Sequence, residues 1–180
     1  MLYIADFHIH SLFSRATSDD MNLDSISRFA KMKGISLMGT GDFTHPLWLK
    51  DLKEKLTSKR GGIFCYNKVD FILTGEVNLI FQVKEKTRKI HIVIFAPSFE
   101  IVERVNKELE RCGNLSQDGR PTLSLEAQRM VRILLEISTD IVIIPAHIWT
   151  PWFSLFGSRF GFDSIEECFG EEVGNIFSLE

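Results

Sequence analysis

Ala5-Asp6-Phe7-His8-Ile9-His10 is the stretch on which the reading of the whole chain turns. The apolar run Leu2-Tyr3-Ile4 leads into it, so the pattern predicts a buried strand over residues 3–9. Side chains on a strand alternate faces, which puts His8, His10 and Asp6 on one side and Ala5, Phe7 and Ile9 on the other. Two imidazoles at the end of a buried strand, with a carboxylate nearby, make half of a metal site. The plainer alternative is a His-x-His that happens to fall on a surface strand. The partners found along the rest of the chain separate the two.

The chain has 180 residues, of which 44% are hydrophobic and 25% charged, values that suit one folded domain with a sizeable core. Fifteen phenylalanines against two tyrosines predict a core rich in aromatic packing. A net charge of −3 gives no general attraction to nucleic acid or anionic membranes, although bound divalent cations would reverse the sign locally. Cys65, Cys112 and Cys168 are widely spaced with no Cys-x-x-Cys, as expected of free thiols in a reducing compartment. No apolar run reaches membrane-spanning length and Met1 leads straight into the first strand, so the expectation is a soluble cytoplasmic protein with no membrane partner.

Strand-like and helix-like segments alternate, which predicts an α/β architecture. A helix is expected over residues 23–33, with Ile26, Phe29, Ala30 and Lys33 as its stripe and Gly34 as its stop. A buried strand over 36–40 runs into Gly41-Asp42-Phe43-Thr44-His45-Pro46. Pro46 opens a helix reaching about residue 60, with Leu47, Leu49, Leu52 and Leu56 as its apolar positions. A third strand over 71–73 is interrupted by Gly75-Glu76 and resumes from Val77 to Val83, then returns as a hairpin through Ile90 to Phe95. Ser98 and Ser124 are candidate helix caps, the first helix running through Cys112. Residues 141–144 form a wholly apolar strand of the kind covered on both sides, ending at Pro145-Ala146-His147. An aromatic loop follows, then a short helix near 165–169 and a last strand over 176–180.

In parallel α/β folds functional groups gather at the carboxyl ends of strands. His8 and His10 come from the first strand, Asp42 and His45 from the second, Glu76 from the third and His147 from a later one. His91 instead opens the return strand of the hairpin. One register sets it directly opposite Glu76; a turn centred on Lys86-Thr87 sets it opposite Gln82, and the spacing allows both. Imidazole and carboxylate without thiolate suit zinc, manganese or iron(II). Two such ions activate water and bind the oxygens of a phosphate ester. Arg15 could hold one of those oxygens, or it could be a solvated loop arginine.

With these residues assembled, the chain resembles the polymerase-and-histidinol-phosphatase (PHP) metal-dependent phosphoesterases. His8-Ile9-His10, Gly41-Asp42, Gly75-Glu76, His91-Ile92-Val93 and Ala146-His147 match that family's motifs in order. The match is closer to the endonuclease Q branch through Ser14-Arg15-Ala16-Thr17-Ser18, residues 39–46, residues 145–153 and residues 161–168. The resemblance implies a distorted seven-stranded β/α barrel, with His8, His10 and Glu76 on one divalent ion and Glu76, His91 and His147 on a second. Zinc, manganese, iron or magnesium would serve, and a third site would depend on Asp42 or His45, because Arg15, Ala16 and Phe43 stand where the family often has ligands. It implies nicking of DNA at deaminated or abasic bases, with Arg15 and Thr17 as candidate substrate contacts; Trp149 and Trp152, in the aromatic loop after His147, could stack on an unpaired base or instead cover the barrel mouth or an interface. A small phosphate ester is the alternative substrate, and a non-catalytic module the third reading. The family closes its barrel with a strand carrying Asp-x-His. The expectation is therefore that residues 1–180 are the N-terminal part of one such domain, an incomplete barrel lacking its final strand and with little activity alone.

Overall fold

Strands with an apolar face and amphipathic helices are stable only when they cover one another. The computed structural model describes residues 4–15 and 17–180, and over them five α-helices accompany eight strands in a single sheet, alternating except where four strands follow one another after the second helix. β1 (Ala5–Asp6) and β2 (Leu37–Gly39) run parallel to the first part of β5 (Val69–Val83). β3 (Thr57–Ser58) and β4 (Phe64–Tyr66) add antiparallel beside that same part. Its second part pairs antiparallel with β6 (Lys86–Ala96) and parallel with β7 (Thr122–Leu123); β6 in turn carries β8 (Val142–Pro145), antiparallel. The sheet is therefore mixed, with β5 as its spine.

α1 (Leu23–Lys33) has the expected bounds: Asn22 caps it by accepting from the Ser25 N–H, and Gly34 closes it at φ 72. α3 (Phe99–Leu109) is capped by Ser98, as expected, and α5 (Ile165–Phe169) by Ser164. One apolar cluster joins α1, α3 and α4 (Ala127–Ile137) to the sheet, with Phe71, Leu73, Leu79, Ile92 and Ile94 fully buried in it.

Several sequence expectations are corrected. Tyr3 lies outside the described residues, and the paired part of the first strand is only Ala5–Asp6, so His8 and His10 follow it on irregular backbone. Phe29 is half exposed rather than part of the α1 stripe. α2 (Pro46–Lys55) ends five residues early because Leu56 turns extended and the next two residues pair as β3. Its buried face is Trp48 and Leu52, while Leu47 is exposed. Gly75 does not break β5. Its missing side chain leaves room for the Phe43 ring, which would lie 3.3 Å from a Cβ there. The hairpin turn is Lys84-Glu85, both in left-handed conformation at φ 47 and 64, the twist that a two-residue hairpin requires. It sets Val93 opposite Glu76 and Asn78 opposite His91, so neither sequence-derived register holds. Ser124 does not cap α4; Glu126 stands at that position without a side-chain bond. α3 stops short of Cys112. β8 alternates, with Val142 exposed and Ile143 buried, instead of being covered on both sides. Residues 176–180 form no strand, although the Glu180 N–H donates to the Pro145 carbonyl.

Trp48 ties α2 to the loop that carries Asp42. Its buried indole N–H donates to the carbonyls of Gly41 at 2.8 Å and Thr40 at 3.2 Å. Trp48→Phe keeps an aromatic ring and removes that donor. Urea denaturation should show a loss of about 1–3 kcal/mol, the cost of leaving buried carbonyls unpaired. An unchanged midpoint would show that the indole bond contributes nothing.

Candidate metal centre

Because β5 is unbroken, Glu76 stands at mid-strand, 2% exposed, where the two halves of the sheet meet. His8 and His10 arrive from the segment after β1, His91 from β6, and His147 from the residues just past β8. Each Glu76 oxygen serves one pair. Oε2 lies 3.3 Å from His8 Nε2 and 3.0 Å from His10 Nε2. Oε1 lies 2.9 Å from His91 Nδ1 and 3.2 Å from His147 Nε2. His91 is not directly across from Glu76. It pairs with Asn78, two residues on and therefore on the same face, which brings its ring diagonally within reach.

Each ring is held from behind. His10 Nδ1 donates to Asp42 Oδ1 at 2.9 Å, and the other Asp42 oxygen accepts from the Ser11 N–H and hydroxyl at 2.6 and 2.7 Å. His8 Nδ1 donates to Glu180 Oε2 at 2.7 Å. His147 Nδ1 lies 3.2 Å from Thr150 Oγ1, whose hydroxyl donates to the Trp152 carbonyl. The His91 ring stacks on Phe153 at 5.1 Å, and the His91 N–H donates to the Phe153 carbonyl. In His8, His10 and His147 the partner at Nδ1 engages that nitrogen and turns Nε2 toward Glu76, while His91 faces Glu76 through Nδ1.

Burial alone would raise the Glu76 pKa, but hydrogen bonds from His10, His147, His8 and His91 hold it far below the usual carboxylate range. Burial alone would lower His10, yet Asp42 and Glu76 push it up to about 9. His8 is also raised, burial being outweighed by Glu76 and Glu180, while burial keeps His91 below its ordinary value. His8, His10 and Glu76 form one triad and Glu76, His91 and His147 another, each offering ligand atoms within 4.8 Å of one another. His91 Nδ1 and His147 Nε2 are 3.1 Å apart while both point at Oε1, a convergence of ring nitrogens that suits a cation.

The other predicted site residues lie outside the two triads. Both oxygens of Asp42 are engaged by His10 and Ser11, so it braces a histidine. His45 stacks on Phe13, its Nε2 donating to the Ser116 carbonyl and its Nδ1 buried without a partner. Arg15 is exposed and pairs with Asp118 at 3.4 Å. Thr17 Oγ1 lies 2.8 and 2.7 Å from the carbonyls of Ser11 and Ser14 and shapes the loop. Trp149 and Trp152 are exposed beside the centre, in contact with Phe156 and Phe160 respectively. Ala16 lies outside the described residues.

The sequence reading missed Arg120, whose guanidinium lies 3.3 Å from Glu76 Oε2. The loop that carries it is clamped to the His10 loop: the Gly119 N–H donates to the Phe13 carbonyl, and Asp118 accepts from the backbone of Arg15 and Arg120. A Cβ on Gly119 would stand 2.4 Å from Asp42 Oδ2, so only glycine fits there. A single arginine in a polar loop carries no sequence signal for such a role.

No family model matches the chain. Its fold is that of a structure described as a metal-dependent phosphoesterase of Bifidobacterium adolescentis, with a TM-score of 0.59 at 14% identity over 98% of this chain and 76% of that one. A nearer likeness is the lesion-specific endonuclease PfuEndoQ of Pyrococcus furiosus, with a TM-score of 0.81 and 34% identity over 93% of this chain and 39% of that one. Endonuclease Q in complex with a 27-mer duplex bearing an abasic lesion at the active site matches at the same TM-score and identity. Among curated proteins, the uncharacterized protein MJ0043 of Methanocaldococcus jannaschii is 32% identical over 152 residues, covering 84% of this chain and 17% of that protein. The chain thus spans well under half of endonuclease Q and about a sixth of MJ0043. No helix of the described residues is long and apolar enough to cross a membrane.

The raised His10 makes a pH test of the centre. Below about 9 its ring is protonated in the metal-free protein, and an incoming divalent ion must displace that proton. Affinity for Mn²⁺ or Zn²⁺ should therefore climb from pH 7 to 9, at about tenfold per unit for one displaced proton, and level off above. Calorimetric titrations at pH 7, 8 and 9 check this, and a flat profile would contradict it.

Proposed function

We propose that the chain is the metal-binding part of a divalent-metal-dependent endonuclease that nicks DNA at deaminated or abasic bases. The observation that carries this reading is the pair of triads sharing Glu76, set in a chain 34% identical to a lesion-specific endonuclease over 93% of its length. His8, His10 and Glu76 would hold one ion, and Glu76, His91 and His147 a second. The all-imidazole and carboxylate donor set suits zinc, manganese or iron(II), with magnesium a further candidate. When bound, the ions supply an activated water and charge neutralisation for in-line attack on a phosphodiester.

The chain's own side chains have distinct tasks in this scheme. Glu76 belongs to both triads, with Oε2 facing His8 and His10 and Oε1 facing His91 and His147, so it would help hold either ion. Asp42 keeps the His10 ring in the orientation that turns Nε2 inward. Arg120, beside Glu76, offers a planar guanidinium to a phosphate oxygen. Arg15 and Thr17 sit on the adjoining loop, Arg15 exposed enough to meet a neighbouring phosphate and Thr17 holding the loop in place. Trp149 and Trp152 present exposed rings to an unstacked base, and Arg159 over Trp152 and Lys89 over Phe160 bring positive charge to that face. With a net charge of −3 the rest of the surface adds no attraction, so DNA is engaged locally.

The reading extends to architecture. Among the described residues β1 has β2 as its one strand partner and β8 has β6, the Pro145 carbonyl of β8 also accepting from the Glu180 N–H. Both strands flank one groove of about 350 Å³ lined by Phe7, Val93, Phe95, Ile144 and Leu179. We place the barrel's closing strand in that groove, with residues 1–180 as the N-terminal part of a single catalytic domain.

With protein in excess over a duplex containing uracil, hypoxanthine or an abasic site, and Mn²⁺ present, a nick should form slowly on the 5′ side of the lesion, in keeping with the little activity expected of residues 1–180 alone. Glu76→Gln should slow it by about 10²-fold or more through loss of both ions, and the rate should fall steeply with added salt. Equal cutting of undamaged duplex, or turnover of a small phosphate ester with no nick, would sink this reading.

A further inference from the structure

Three of the four rings around Glu76 have Nδ1 engaged from behind, and the partner differs each time: Glu180 for His8, Asp42 for His10 and Thr150 for His147. Glu180 is the one that also touches the other triad. Its Oε2 accepts from His8 Nδ1 at 2.7 Å and from the His147 backbone N–H at 3.1 Å. The backbone of Glu180 is fastened on either side of the same histidine. Its N–H donates to the Pro145 carbonyl at 3.1 Å and its carbonyl accepts from the Ile148 N–H at 2.9 Å. His147 needs such support, because its φ of 33 is a left-handed conformation that costs a non-glycine residue energy.

We propose that Glu180 is a positioning residue that couples the two triads, fixing the His8 ring through Nδ1 and the His147 backbone through its N–H with one carboxylate oxygen. The inference rests on the metal reading of the centre. A carboxylate behind a ligating imidazole sets which nitrogen keeps the proton and strengthens the other as a donor. Glu180 is tied to segment 145–148 by its own backbone, so the oxygen that orients His8 is referenced to the element carrying His147. Any shift of one histidine is thereby transmitted to the other.

The test compares wild type, Glu180→Gln and Glu180→Ala for Zn²⁺ affinity by competition with a chelator, and for the ¹⁵N signals of the imidazole rings. Glu180→Ala should weaken zinc binding by about 10–100-fold and Glu180→Gln by up to about tenfold, the usual cost of removing a partner behind a ligand. With zinc bound, the His8 signals should lose the single Nδ1–H pattern in Glu180→Ala, a change that general loosening of the chain would not confine to His8 and His147. Should Glu180→Ala fail to fold, the isosteric Glu180→Gln decides by the same two measurements. Variants that bind zinc as wild type does, with unchanged His8 signals, overturn the inference while the metal reading stands. A wild-type protein that takes up no zinc overturns the metal reading and this inference with it.

Discussion

A carboxylate buried to the extent of Glu76 must be matched by positive charge or hydrogen-bond donors, or it does not stay ionised. Four imidazoles and the Arg120 guanidinium converge on it, and none of them comes from the strand that carries it. The rest of the structure follows from that demand. The first part of β5 must hold β2, which holds β1, so that His8 and His10 reach Oε2; the second part must hold β6, which holds β8, so that His91 and His147 reach Oε1. A break at Gly75 would uncouple the halves. Phe43, packed into the space that a side chain would fill, helps keep the strand continuous there.

Backbone strain gathers at the same place. Asp42, His147 and Phe153 all have positive φ, at 50, 33 and 54, and none is a glycine. Such conformations persist only where the surroundings over-determine them. Ser11 holds Asp42 by two bonds, Glu180 grips the N–H of His147, and Phe153 is fastened to His91 through its carbonyl and by ring stacking. Each strained residue touches a ring of the centre or belongs to it. The other non-glycine residues of positive φ, Asn67-Lys68 and Lys84-Glu85, form two-residue turns between paired strands, whereas these three aim imidazoles.

Much of the centre was legible from residue type alone. Histidines two apart after an apolar run, a glutamate following the third strand and a histidine after Pro145 are few enough, and chemically specific enough, to be grouped without coordinates. His91 shows the limit. Its register was undecided because the hairpin has no Asn-Gly or Asp-Gly at its turn, and the left-handed Lys84-Glu85 pair is one that side-chain preference does not favour. Asp42 and His45 were grouped with the ligands because their spacing after β2 is right for one. Only packing shows that Asp42 spends both oxygens on His10 and Ser11 and that His45 turns under the Phe13 ring.

The sequence by itself determined the mixture of strands and helices, the bounds of α1 and α5, and His8, His10, Glu76 and His147 as candidates for one centre. These depend on local periodicity, capping and residue chemistry, all of which are written over a few neighbouring positions. Tertiary structure alone decided that β5 passes unbroken through Gly75, that Oε2 and Oε1 serve different histidines, and that Arg120 and Glu180 join the site. Those features depend on contacts between segments as many as 172 residues apart. No local pattern encodes which distant side chain will be close enough to satisfy a buried charge.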